Sequence, residues 1–130
     1  ENGASVVLSG KVSSLSSEWK TCCIDAGGWT FETPMASLAM GSQVRLRVLA
    51  RDVSIAVEKP DSISIRNRLQ AEVEEIAAHP SEPAYQLVKL KCPNGEGRLV
   101  SRILRQSVTE LGLHPGSQVW ALVKASAVIM

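Results

Sequence analysis

The chain has 130 residues, 45% of them hydrophobic and 21% charged, with a net charge of +1. That is one domain or two very small ones, with enough apolar content to bury a core, and it excludes wholesale disorder. The near-neutral balance removes the electrostatic case for nucleic acid or an anionic membrane, and one Tyr, one Phe and three Trp are too few for base-stacking platforms.

No run approaches the ~18 apolar residues of a membrane-spanning helix. Glu1-Asn2-Gly3 has neither the charged nor the apolar region of a secretory leader, and no Met opens the chain, so it reads as a piece of a longer protein. Cys22 and Cys23 are neighbours and on a strand point to opposite faces. With Cys92 they make an odd count, which argues against a secreted disulfide scaffold and for reduced thiols in the cytoplasm. His79 and His114 are isolated, and no zinc-ligand spacing occurs. Gly27-Gly28 marks a turn.

From residue 41 the pattern sharpens. Val44, Leu46 and Val48 alternate with Arg45 and Arg47, and Val53, Ile55 and Val57 alternate with Ser54 and Ala56, the period of half-buried strands. Gly41-Ser42-Gln43-Val44 to Ala50 recurs in register as Gly116-Ser117-Gln118-Val119 to Ala125, and Val53 matches Val128. Leu8-Ser9-Gly10-Lys11-Val12 echoes Leu69 to Val73 more weakly and at a shorter offset, so the second copy holds an insertion. The expectation is two related β units, 1–58 and 62–130, joined at Lys59-Pro60-Asp61. In the second unit Val88, Leu90 and Cys92 alternate with Lys89 and Lys91, and Pro93-Asn94-Gly95 and Pro115-Gly116 mark turns. Ser107-Val108-Thr109-Glu110 fits a capping box that opens a helix of one or two turns, ended by Leu111, Gly112 and Pro115. Short strands at this spacing suggest an all-β fold of small barrels or a sandwich, with one short helix in the second unit.

Nothing in the chain suits catalysis. It has no phosphate loop, nucleophile elbow or paired carboxylates, so an enzyme or an ATP site is not expected here. What stands out instead is a set of donors. Ser64-Ile65-Arg66-Asn67 precedes the first strand of the second unit, Lys124-Ala125-Ser126 lies in its last strand region, and Ser107 opens the short helix. Arg and Lys supply charge while Ser and Asn supply directed bonds, the requirements of a tetrahedral dianion in a shell with few competing carboxylates. The first copy has Leu49 where the second has Lys124. Each piece also has a plainer reading taken alone. Ser64 to Asn67 fits a solvated turn, Lys124 a strand-edge charge, and Ser107 a cap worth roughly 1 kcal/mol. Arg45 and Arg47 fit a solvent face, and Trp120 a packing residue.

Residues 62–130 resemble an oxyanion-binding Mop unit of the TOBE type. The similarity rests on Ser64-Ile65-Arg66-Asn67, Ile103 to Ser107, Leu111 to Gly116, and Val123-Lys124-Ala125-Ser126. Val44 to Glu58 is similar to the segment before that unit in the ATP-binding subunits of molybdate importers. The resemblance implies OB-like small β-barrels and a regulatory domain that senses intracellular molybdate or tungstate at a subunit interface. It also implies a parent ATPase that couples to a membrane permease at the inner face of the cell membrane, while this chain enters no membrane and binds no nucleic acid. Carried over, Ser64, Arg66, Asn67, Lys124, Ala125 and Ser126 contact the oxyanion and Ser107 comes from the partner of a homodimer, with no metal beyond the oxyanion itself. The first unit is then a degenerate TOBE-like copy. Two alternatives stay open. One is a free molybdate-storage protein or the effector domain of a molybdate-responsive transcription regulator. The other is a dimerisation module with an inactive site, since Leu104 stands where the family often has Thr.

Overall fold

A computed structural model describes residues 4–35 and 37–130; Glu1-Asn2-Gly3, read above for a leader, lies outside them. In chain order the elements are β1 (Ser5–Ser16), β2 (Thr21–Ala26), β3 (Trp29–Pro34), β4 (Gln43–Leu49), a 3-10 turn at Ala50–Asp52 and β5 (Ser54–Ala56). Then follow β6 (Asn67–Ala78), β7 (Tyr85–Lys91), β8 (Arg98–Leu104), α1 (Arg105–Glu110), β9 (Gln118–Val123) and a second 3-10 turn at Ala125–Ala127. All pairings are antiparallel. They form one sheet in the order β3-β2-β1-β4 and another in the order β5-β9-β6-β7-β8. The all-β class expected from the alternation, in the OB-like form that the resemblance implied, is what the chain adopts.

The strands follow their side-chain pattern. Leu8, Gly10 and Val12 of β1 are buried while Val7, Ser9 and Lys11 are exposed. Leu46 and Val48 of β4 turn inward and Arg45 and Arg47 outward. Leu69, Ala71 and Val73 of β6 face Val119, Ala121 and Val123 of β9 in one contiguous core, which also takes in Ile24, Phe31 and Leu46 of the first sheet. Cys22 is buried and Cys23 half-buried, as opposite faces require.

The internal repeat is a structural repeat. Both copies carry a bulge at the same place, between Val12 and Ser14 and between Val73 and Glu75. The same turn closes both. Gly41 N–H donates to Val12 O at 2.9 Å, and Gly116 N–H to Val73 O at 2.8 Å. The ends of the copies are exchanged. β5 leaves the first copy and pairs with β9 through Ser54 and Leu122. At the equivalent place Ile129 pairs with Arg47 of β4, by reciprocal backbone bonds of 2.7 and 3.0 Å. A buried hydroxyl holds each exchanged end. Ser101 Oγ donates to Val53 O at 2.6 Å, and Thr33 Oγ1 to Ala125 O at 3.3 Å.

The hairpin turns of the two copies cross. Gly27 and Gly28, with φ of 66° and 97°, make the two-residue turn between β2 and β3, a conformation open chiefly to glycine. Gly97 N–H donates to Gly27 O at 2.8 Å, and a Cβ on Gly28 would lie 2.9 Å from both Cys92 Sγ and Gly95 Cα. Side chains at this crossing would force the two sheets apart.

The short helix differs from expectation at its start. It spans Arg105–Glu110, so Ser107 sits within its first turn, and Leu104 at the N-cap makes no side-chain bond. β8 runs to Leu104, and Arg105 N–H already finds Ala84 O at 2.8 Å, so the chain turns into helix two residues before Ser107 could cap it. The end is as read. Gly112, at φ 63°, lets Leu113 N–H reach Val108 O and Gly112 N–H reach Thr109 O, while Val108 and Leu113 are both buried.

Ser101→Ala tests the hydroxyl latch. The substitution leaves the Val53 carbonyl without its buried donor, and urea unfolding should show a loss of about 1–3 kcal/mol with an unchanged slope.

Candidate functional site

The β6–β9 ladder brings the two donor segments together. Its last pair is Asn67 with Val123, so one step further Arg66 and Lys124 stand at the same end of the sheet, from segments far apart in sequence. There the strands stop. Lys124 caps the second 3-10 turn, and Ala125, Ser126 and Ala127 form it. Ser64, Arg66, Lys124 and Ser126 are exposed and Ala125 is half-buried.

Two depressions flank this turn. One, of about 440 Å³, is lined by Trp19, Thr21, Glu32, Arg66 and Ala125. The other, of about 220 Å³, is lined by Arg51, Asp52, Ser54, Ile65, Leu122, Lys124 and Ala127. Arg66 and Ala125 thus belong to one, and Lys124 to the other. Ser107 lines neither. It lies on α1, beside a separate depression formed by Ala84, Leu104, Arg105, Gln106, Thr109 and Glu110, where Leu104 is exposed. One chain therefore sets Arg66 and Lys124 at the same end of the sheet but in different depressions, and Ser107 in neither.

Asn67 behaves as a structural pin. It is 2% exposed, its Oδ1 accepts from Glu32 N–H at 2.7 Å, and its Nδ2 donates to Glu32 O at 2.9 Å. Its amide is thereby spent on the backbone of β3 and ties the first sheet to the second, and any role toward a ligand falls to its position. The pin has a consequence for Arg66. Glu32, held in place by Asn67, accepts a hydrogen bond from Arg66 Nε through Oε1 at 3.0 Å. Arg66 is 63% exposed, so the pair contributes no more than about 1 kcal/mol.

A carboxylate beside the arginine was absent from the sequence reading. Glu32 belongs to the first copy, 34 residues from Arg66, and no local motif marks it. Arg51 and Ser54 near Lys124 were missed for the same reason, because the exchanged end that carries them becomes a neighbour only after folding. Asp52 shares that depression, so each cation has a carboxylate nearby. Among the described residues, no cluster of three or more His, Cys, Asp or Glu could hold a metal ion. Among the described residues no helix is long and apolar enough to cross a membrane.

Residues 63–130 match the TOBE domain family. The chain is 43% identical over 126 residues to the molybdenum import ATP-binding protein ModC of Brucella abortus (strain 2308), covering 97% of this chain and 34% of that protein. It is 37% identical over 129 residues to the ModC of Pseudomonas fluorescens, again over 97% of this chain and 35% of that protein. The chain thus spans about a third of the length of these curated relatives. Among solved structures, a cytoplasmic molybdate-binding protein, ModG, with molybdate bound superimposes with a TM-score of 0.79 at 28% identity. That match covers 95% of this chain and 93% of that one.

Asn67→Ala removes both bonds to Glu32 and should cost on the order of 1–3 kcal/mol in a denaturant titration. Asn67→Asp keeps the acceptor for Glu32 N–H but buries a carboxylate whose second oxygen faces the Glu32 carbonyl, and should cost more than Ala.

Proposed function

The chain belongs to the TOBE domain family, and from that premise we propose that it is the regulatory oxyanion-binding domain of a molybdate import ATPase subunit. The observation that carries the reading is the junction of Arg66 and Lys124 at one end of the β6–β9 ladder, beside the 3-10 turn. Two cations and exposed Ser64 and Ser126 offer charge-assisted and directed bonds to a tetrahedral dianion such as molybdate or tungstate. The ModC relatives and the molybdate-bound ModG structure support that ligand class.

The assembly proposed is a homodimer. One chain supplies an incomplete shell at this end of the sheet, and Ser107, on α1, reaches it only from a second copy. Trp120, half-buried on β9, and exposed Ile129 and Met130 add apolar area for such contact. The first unit, 1–58, is in this reading a degenerate copy. It keeps the turn, the bulge and the exchanged end, but has Leu49 at the place of Lys124. That asymmetry favours the importer subunit over a free storage protein with two equivalent copies, although the likeness to nearly all of ModG keeps the second reading in view. The parent subunit would pair with a membrane permease and hydrolyse ATP through a part outside this chain.

Two measurements test the proposal. Calorimetric titration of the unmodified chain with molybdate, tungstate and sulfate should show one site per chain. Lys124→Leu should weaken molybdate about tenfold to hundredfold, the roughly 1.5–3 kcal/mol of a lost charge-assisted bond, with the fold intact. Equal affinity in a folded Lys124→Leu chain would overturn the assignment. Sedimentation should give a dimer at high protein concentration; a monomer with and without molybdate would remove the shared site.

A further inference from the structure

We propose that Glu32 is an internal competitor for the oxyanion, which sets the affinity of the site and decides which protonation state of an anion it accepts. The inference rests on the oxyanion reading above and concerns a residue outside its ligand set. Glu32 Oε1 takes Arg66 Nε at 3.0 Å, so the carboxylate already occupies a donor that a dianion would use. The occupancy is built in. Asn67, 2% exposed, grips both the N–H and the carbonyl of Glu32, which fixes its backbone against Arg66 whatever the side chain does. The Glu32 side chain is also the less exposed partner, 21% against 63% for Arg66. The carboxylate therefore stays at the site while the arginine is free to swing to another anion.

Two effects follow from that placement. A full dianion must either take Arg66 Nε from the carboxylate or use the guanidinium's Nη donors beside it, and in both cases like charges a few Å apart at a half-exposed position correspond to roughly tenfold in affinity. An anion that carries an O–H meets Glu32 differently. The carboxylate accepts that hydrogen bond, so monohydrogen phosphate recovers part of what repulsion removes. Glu32 thus raises the concentration at which a fully ionised oxyanion fills the site, and narrows the site's preference for it over phosphate.

The test is calorimetric titration of the parent chain, Glu32→Gln and Glu32→Ala with molybdate, sulfate and inorganic phosphate, at mildly alkaline pH and constant ionic strength. Circular dichroism confirms the fold of each. Both variants should bind molybdate and sulfate about tenfold more tightly than the parent, while phosphate changes by no more than about twofold. A parent that binds no molybdate beside a Glu32→Gln chain that does would support the proposal in its strongest form. If the parent binds and Glu32→Ala binds equally or more weakly, Glu32 merely orients Arg66 and this proposal falls while the oxyanion reading stands. If parent and variants all fail to bind any of the three anions, the oxyanion reading falls and takes this proposal with it.

Discussion

The exchange of ends between the two copies is the constraint on which the rest of the molecule depends. β5 completes the sheet of the second copy, and Ile129 pairs with β4 of the first. Neither copy has its full set of strands without the other. The buried hydroxyls of Ser101 and Thr33 fasten the exchanged segments where an unpaired carbonyl would be costly, and the glycine crossing lets the hairpins pass at backbone distance. A single core follows from this arrangement, because the residues that bury one sheet are the same ones that bury the other.

The candidate site is a product of that seam. Its second-copy residues, Arg66 and Lys124, sit where β6 and β9 end. Its neighbours Glu32, Arg51, Asp52 and Ser54 arrive from the first copy, through β3 and the exchanged end. Asn67 is the hinge of the arrangement: a polar side chain in the core, satisfied on both its donor and acceptor sides by one residue of the opposite sheet. Burying an amide there is tolerable only because both bonds are made. The result is a candidate site of mixed charge, with Glu32 against Arg66 and Asp52 in the depression that Lys124 lines.

The two copies share a backbone plan, to which the second adds α1. Turn, bulge, 3-10 segment and exchanged end are all retained, while half-buried Leu49 stands where the second copy has exposed Lys124. Backbone hydrogen bonds hold the shared features and depend little on side-chain identity, so surface chemistry could change without disturbing them.

Much of this was legible in the residues. The alternation in 44–48 and 88–92 specified strands, because a period of two has only one regular backbone that buries a single face. The repeat at 41–50 and 116–125 announced duplicated units, and Gly112 announced the end of the helix, since few other residues adopt its φ. The start of that helix was misread. Ser107 and Glu110 have the spacing of a cap, but the distant Ala84 carbonyl had already engaged Arg105, a long-range bond that no local pattern encodes. Arg66 and Lys124 could be named as donors from sequence, because their charge is intrinsic to the residues. That Glu32 stands against Arg66, that Asn67 holds Glu32 there, and that Ser107 lies away from both were decided only by tertiary structure. Those relations are set by which strand ends meet across the seam, and a one-dimensional pattern carries the faces of strands but not the partners of their ends.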